Sequence, residues 1–175
     1  MTSFMIQDHL NRPVTADWKD DESTCIFCRI SRRETTAHIV YEDEKVIAFL
    51  DILPLRPGHT LLVPKAHYAR ISELPSEHAA ALGKAIPKVS NALTKALDNT
   101  GLNVVCNQEY AQAVSHVHFH IIPAPRLNAT SSSTPTVVAQ TSLPHKEMHR
   151  KEFEAREELD SDDAAELVKR ISARL

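Results

Sequence analysis

No run of 18 apolar residues occurs anywhere in this 175-residue chain, which excludes a membrane-spanning helix. Residues 1–21 are polar and lack the apolar core of a secretory signal, so the expected location is the cytoplasm, with the nucleus as a second compartment. The three cysteines are too few for a disulfide framework. Excess charge of one sign is also missing. Twenty Lys and Arg oppose 23 Asp and Glu, for a net charge of −3, so neither nucleic acid nor an anionic membrane is an expected partner. No repeat at the 20–50 residue scale is visible, which argues against a solenoid or propeller. What remains, 42% hydrophobic and 25% charged, is an ordinary globular composition with enough chain for one core and its tails.

Histidine, by contrast, is concentrated. In His116-Val117-His118-Phe119-His120-Ile121-Ile122-Pro123, strand geometry puts the three imidazoles on one face and Val117, Phe119 and Ile121 on the other. Only roughly 1 in 30 shuffled chains would hold such a triple by chance. A second concentration is Cys25-Ile26-Phe27-Cys28, whose spacing in a reducing compartment points to metal or redox chemistry.

Taken in order, residues 1–22 show no apolar periodicity and read as a disordered tail. Residues 39–41 and 46–50 read as strands joined by an acidic turn, and residues 60–63 as a third strand closed by Pro64. Ser76 is placed to cap a long helix carrying Leu82, Ile86, Val89, Leu93 and Leu97, bent at Pro87 and closed by Gly101. Residues 102–106 and the histidine segment supply strands four and five. Residues 124–150, rich in Pro, Ser and Thr, form a surface excursion. In the final segment, 151–175, Ser161 caps a helix whose apolar stripe is Leu167, Ile171 and Leu175. Strands gathered around one long helix argue an α+β domain over residues 23–123.

Three chemistries could use the histidines: an open metal site, nucleophilic catalysis by a neutral imidazole, or an anion cradle. Rings at i and i+4 of a strand are about 13 Å apart, so all three cannot hold one ion. The cysteine pair could be a redox pair, half of a zinc site or coincidence. A redox role wants a βαβ setting, which is absent, and a zinc site needs two further ligands. His67 and one triad histidine are the candidates.

With these residues in place, the chain resembles the histidine-triad (HIT) family, in its Hint-like, zinc-bearing, fungal-type branch of nucleoside phosphoramidases. The likeness rests on Cys25-Ile26-Phe27-Cys28, Ala48-Phe49-Leu50-Asp51-Ile52, Pro57-Gly58-His59-Thr60 with Val63-Pro64-Lys65-Ala66-His67, and Gln112-Ala113-Val114-Ser115 running into the triad. Arg156-Glu157-Glu158-Leu159 adds a weaker match. The resemblance implies a five-stranded antiparallel sheet with one long helix and a C-terminal helix, extended across a homodimer. It implies hydrolysis of a purine nucleoside monophosphate (AMP or GMP) from an amine or other leaving group, without an organic cofactor. His118 would attack phosphorus to give a nucleotidyl-histidine, His120 would meet the phosphate, His116 would orient the central ring, and His59 would face the triad. Gln112, Ala113 and Val114 would form the phosphate loop, with Asn107 before them. Asp51 would accept the ribose hydroxyls, and Phe27, Ile30, Phe49 and Ile52 would line the base pocket. Cys25, Cys28, His67 and His116 would hold a structural zinc.

Two departures stand out. Family members carry glycines just before the phosphate loop, whereas Asn107-Gln108-Glu109-Tyr110-Ala111-Gln112 has none, and Ala113 replaces a common serine. Glycine permits positive φ and close backbone approach to phosphate. The competing readings are therefore a dinucleoside polyphosphate hydrolase or nucleotidyl transferase, and a catalytically weak nucleotide-binding regulator.

Overall fold

The computed structural model describes residues 21–125 and 153–175. Residues 1–20 of the expected tail and 126–150 of the expected excursion lie outside the described residues. Asp21 and Glu22, assigned to the tail from sequence, are engaged in the fold. Asp21 Oδ1 accepts from the amide and hydroxyl of Ser23, and Glu22 pairs with Arg32 at 3.2 Å.

The elements in order are α1 (Ile26–Ser31), β1 (Ile39–Glu42), β2 (Val46–Leu50), β3 (Thr60–Pro64), a 3-10 turn (Ile71–Glu73), α2 (Ser76–Leu97), β4 (Leu102–Cys106), β5 (Phe119–Pro123) and α3 (Ser161–Ser172). The five strands form one antiparallel sheet in the order β1-β2-β3-β5-β4. This is the α+β architecture expected from the sequence. Among the described residues, no helix is long and apolar enough to cross a membrane.

Every residue of β2 and β3 is buried, because both faces of the sheet are covered. Val46, Ala48, Leu50 and Leu62 join Leu82, Val89 and Leu93 of α2 and Leu167 and Ile171 of α3 in the larger core. Ile47, Phe49, Leu61 and Val63 point the other way, against Cys25, Phe27, Cys28 and Ile30 of the α1 region. A central strand covered on both faces needs apolar residues at every position, which explains the unbroken Val-Ile-Ala-Phe-Leu run. The site is built on the thinner, α1 side.

Helix ends differ from expectation. Ser76 is the first helical residue of α2, behind a Pro75 N-cap with no side-chain bond, and α2 is continuous through Pro87. It stops at Asp98 in the left-handed conformation (φ 49°) rather than at Gly101. Likewise Asp160, not Ser161, caps α3, its carboxylate accepting from the amides of Asp162 and Asp163 at 2.8 and 3.2 Å. Leu175 lies beyond α3 and is exposed, so the apolar stripe ends at Ile171.

Candidate active site and metal-binding cluster

The histidine segment alternates as its period predicts, yet only part of it is strand. β5 begins at Phe119, and His116 and His118 precede it. Pairing with β3 ends at Leu62↔Phe119, and beyond it the Val117 amide donates instead to the Tyr68 carbonyl at 2.7 Å. Val117 and Ile121 enter the larger core, with Phe119 packed on it. The imidazoles turn to the opposite side. There Phe27 meets His116 and His118 edge-on, with ring centroids 5.9 and 5.2 Å away, and His118 lies 4.8 Å from His120.

His118 is 3% exposed and its Nδ1 lies 2.7 Å from the His116 carbonyl oxygen. A carbonyl only accepts, so Nδ1 carries the proton and Nε2 keeps a lone pair. Burial lowers the His118 pKa, against the stabilising carbonyl bond and the Asp51 charge. The ring is thus held neutral with one nucleophilic nitrogen.

His59 and His120 extend the same logic. The Leu55 amide donates to His59 Nδ1 at 3.2 Å, and His59 Nε2 lies 2.9 Å from His120 Nδ1. Since the amide can only donate, the His59 proton sits on Nε2 and is offered to His120 Nδ1. The proton of His120 is therefore on Nε2. Burial pushes His59 down to about 4, aided by the charges of Arg156, His118 and Arg56, and pushes His120 down to about 3, aided by His118 and His59. Asp51 closes the row, with Oδ2 3.4 Å from His59 Nδ1 and Oδ1 accepting from the Leu53 amide at 3.0 Å. Burial raises its carboxyl above the usual range, opposed by the Leu53 bond and by the charges of Arg156 and His118. Donor atoms of Asp51, His59 and His120 lie within 4.8 Å of one another. However, His59 Nε2 is spent on His120 and its unprotonated Nδ1 accepts from the Leu55 amide, so both ring nitrogens are already engaged rather than free to chelate, and Asp51 is a neighbour of Nδ1 rather than its hydrogen-bond partner.

A true convergence of donors lies on the far side of His116. Cys25, Cys28, His67 and His116 offer ligand atoms all within 4.8 Å of one another and could hold a metal ion. Cys25 Sγ is 3.3 Å from His116 Nδ1, and Cys28 Sγ is 3.2 Å from His67 Nδ1 and 3.5 Å from His116 Nδ1. One turn of α1 brings the two thiols, three residues apart, onto one side. Both are buried, and burial together with the neighbouring Cys25 pushes the Cys28 thiol up to about 12. The Arg32 charge offsets this only in part, and a bound metal would supply further positive charge. The opposite nitrogen of His116, Nε2, donates to the Pro64 carbonyl at 2.8 Å, the outer bond that metal-binding histidines typically make. The donor set fits a metal.

Other expected site residues are distributed unevenly. Phe27 faces the triad, whereas Ile30 and Phe49 are packed within the smaller core rather than lining an open pocket. Ile52 is 63% exposed, Ala113 is exposed, Asn107 is half-buried, and half-buried Val114 rests on the smaller core. Gln112 departs most from expectation. It is 1% exposed, its amide nitrogen donates to the Ala69 and His116 carbonyls at 3.1 and 3.3 Å, and its oxygen accepts from the Glu109 amide at 2.7 Å. Its side chain therefore fastens the loop instead of pointing at an open site. Glu109 and Ala111 take positive φ values, 58° and 54°, a conformation that favours glycine. Arg70 secures the loop from outside through Glu109 at 2.5 Å, and the Ser72 amide donates to Gln108 at 3.0 Å. Neither this latch nor the Leu55 amide left a mark in the sequence, since each joins segments by backbone path. Arg156, whose charge reaches Asp51 and His59, was signalled by the matching Arg156–Leu159 stretch but given no role.

The HIT domain family model matches residues 32–127. An uncharacterised HIT-like protein of Methanocaldococcus jannaschii is 50% identical over 101 residues, 57% of this chain and 78% of its own length. The adenylylsulfatase HINT3 of Arabidopsis thaliana is 38% identical over 115 residues, 62% of this chain and 58% of its own. The adenosine 5'-monophosphoramidase HNT1 of Saccharomyces cerevisiae is 35% identical over 122 residues, covering 69% and 72%. Among solved structures, a Zn-bound histidine triad family protein of Mycobacterium smegmatis superposes with a TM-score of 0.64 at 26% identity, over 87% of this chain and 96% of that one.

Proposed function

The chain belongs to the HIT domain family, and from that premise we propose that it hydrolyses the bond joining a purine nucleoside monophosphate to an amine or similar leaving group. The observation that carries this reading is the His118 ring, neutral and tied through Nδ1 to the His116 carbonyl at 2.7 Å. Its Nε2 lone pair attacks the α-phosphorus. As the N–P bond forms, the bond to the amine breaks and its electrons leave with the amine, which takes a proton from solvent, while the His120 Nε2–H donates a hydrogen bond to a phosphate oxygen. Water then attacks phosphorus, the N–P bond breaks with its electrons returning to His118 Nε2, and the released proton passes to solvent. His59, donating to His120 Nδ1, keeps the proton on the side facing the phosphate. Positioning and neutralisation of the phosphate oxygens are the main work in phosphoryl transfer.

In this reading Asp51 accepts the ribose hydroxyls, with the base beside Phe27 and Ile52. We assign zinc to the Cys25-Cys28-His67-His116 cluster, because two sulfurs and two nitrogens suit it. Cys25, Cys28, His67 and His116 would hold it with no position left for water or substrate, so its contribution there would be structural, neutralising the thiolates and fixing His116. The HINT3 and HNT1 names support a nucleotide hydrolase, and the Zn-bound structure supports the metal. β4 lies at a sheet edge with Val104 exposed, which supports a homodimer formed by pairing across that edge.

Adenosine phosphoramidate turnover, followed by phosphorus NMR, tests the reading. Wild type should release AMP and form a phosphorus-linked adduct on His118, while His118→Ala should lose at least a thousandfold of the rate. Equal rates would refute it. The Gln112 amide, spent on carbonyls, favours one second reading, a nucleotide-binding regulator of low activity. Tight AMP binding by wild type with no adduct would identify it. Diadenosine polyphosphate offered to the same preparation separates the polyphosphate hydrolase alternative.

A further inference from the structure

The loop joining β2 to β3 carries the donor that orients His59. Its neck is closed by the Asp51 amide, which donates to the His59 carbonyl at 2.9 Å. Within the loop the Leu55 amide donates to His59 Nδ1 at 3.2 Å, while Asp51 Oδ2 lies 3.4 Å from the same nitrogen. These two neighbours make opposite demands. The amide needs a lone pair on Nδ1, whereas a carboxylate would accept from Nδ1 only if it carried the proton. Burial holds His59 and His120 neutral at pH 7, at about 4 and about 3, so each ring has one proton to place. With the Leu55 amide in position, His59 Nε2–H donates to His120 Nδ1 at 2.9 Å and the His120 proton stays on Nε2. With Asp51 as the partner instead, both protons would move to Nδ1. His120 would then donate to His59 and keep only a lone pair on Nε2.

Arg56 stands beside that amide. Half-buried, it donates from Nη1 to the Pro123 carbonyl at 3.2 Å, at the end of the strand that bears His120. Its own carbonyl accepts from the His59 amide at 3.0 Å. A charged donor makes the stronger kind of bond to a carbonyl. We propose that Arg56 is a positioning residue: by tying the β2–β3 loop to the Pro123 carbonyl, it keeps the Leu55 amide on His59 Nδ1 and sets the direction of the His59–His120 hydrogen bond. Its consequence for turnover rests on the reading of His120 Nε2–H as a donor to the phosphate.

The test reads which nitrogen of each ring is protonated, by long-range proton–nitrogen NMR on the full chain at pH 7, with phosphoramidate turnover measured alongside. Wild type should carry both protons on Nε2. In Arg56→Met both should shift toward Nδ1. Its kcat should fall about tenfold with KM little changed, part of the roughly hundredfold that outright loss of a charge-stabilising donor costs. Arg56→Lys, which keeps a charged donor, should restore most of both. Adding Asp51→Asn to Arg56→Met puts an amide donor beside Nδ1 and should return the protons to Nε2, a reversal that looser packing would not give. Arg56→Met with wild-type protonation, or without a cooperative urea transition, would overturn the inference. So would wild type with His59 protonated on Nδ1, or Arg56→Lys or the double variant matching Arg56→Met. Protons that shift as expected in a protein whose wild type turns nothing over would overturn the hydrolase reading alone.

Discussion

Gly58 is the position where a single methyl group should do most harm per atom added. It sits at φ +87° immediately before His59, and a Cβ there would lie 2.7 Å from Leu97 Cδ1 and 3.5 Å from Leu93 Cδ2 and Pro123 Cγ. Gly58→Ala therefore meets two costs. A left-handed backbone costs a non-glycine residue about 1–2 kcal/mol. Overpacking costs about 1–3 kcal/mol, and the lower end applies because the obstructing atom is the terminal methyl of Leu97 at the last turn of α2. Alanine returns about 0.4–1 kcal/mol by restricting the unfolded chain. The net expectation is a loss of roughly 1.5–2.5 kcal/mol in urea unfolding at pH 7. Combining Gly58→Ala with Leu97→Ala should recover about 1 kcal/mol of coupling in a double-mutant cycle, leaving the backbone share intact. A cost under about 0.5 kcal/mol, or additivity of the two substitutions, would refute the argument. The Thr60 hydroxyl donates to the Gly58 carbonyl at 2.9 Å and the His59 amide to that of Arg56 at 3.0 Å, so turnover should fall alongside stability.

Three other outcomes follow from the same geometry. His59 and His120 sit at about 4 and about 3 in the fold, against 6.5 ordinarily. Above pH 6.5 both states are neutral and these rings add no pH dependence. Below it the unfolded chain gains protons that the folded chain refuses, so stability should fall with decreasing pH by up to ~1.4 kcal/mol per unit per ring until the folded values are reached. Urea titrations between pH 7 and 5 check this, with His59→Gln removing one ring's share of the slope. Ala111→Gly, at φ 54°, should stabilise the chain by about 0.5–1 kcal/mol, the strain relieved less the entropy added; a loss on denaturant unfolding would contradict the left-handed assignment. Cys28→Ser should reduce bound metal from one equivalent to near zero by elemental analysis. It should also lower stability by roughly 4 kcal/mol if the metal stands at a thousandfold over its dissociation constant, and chelator should then have no further effect.

The central strands were legible because burial on both faces demands an unbroken apolar run, and Val46-Ile47-Ala48-Phe49-Leu50 could be little else. The imidazole face was legible for a related reason, since a period of two orients side chains whether or not a neighbouring strand reaches them. That same indifference is why the strand was drawn too long. Nothing in His116-Val117-His118 reveals that Tyr68, not β3, takes the Val117 amide. Both long-helix caps were misplaced by one residue, because Ser76 and Ser161 are good capping types standing beside Pro75 and Asp160, and local preference did not separate them. The direction of the Gln112 side chain was hidden for a deeper cause. Its direction depends on the path of residues 107–111, and that path uses positive φ at Glu109 and Ala111, where residue type gives no signal.

His116 is the residue through which the two halves of the site communicate. Its Nδ1 faces both thiols, its Nε2 donates to the Pro64 carbonyl, and its backbone carbonyl accepts a hydrogen bond from His118 Nδ1. The carbonyl also receives a bond from Gln112, whose oxygen holds the loop at Glu109. Each contact constrains a different part of one residue, and together they leave the His116 carbonyl little freedom to turn. Under the mechanism proposed above, that carbonyl sets which nitrogen of His118 attacks, because it accepts from Nδ1. The loop without glycines thus reaches the His118 ring through a buried amide and two hydrogen bonds that share the His116 carbonyl. The metal cluster acts on the same carbonyl from the opposite side. Loss of either support leaves His118 in place but frees its tautomer, and a ring with its proton on Nε2 cannot attack.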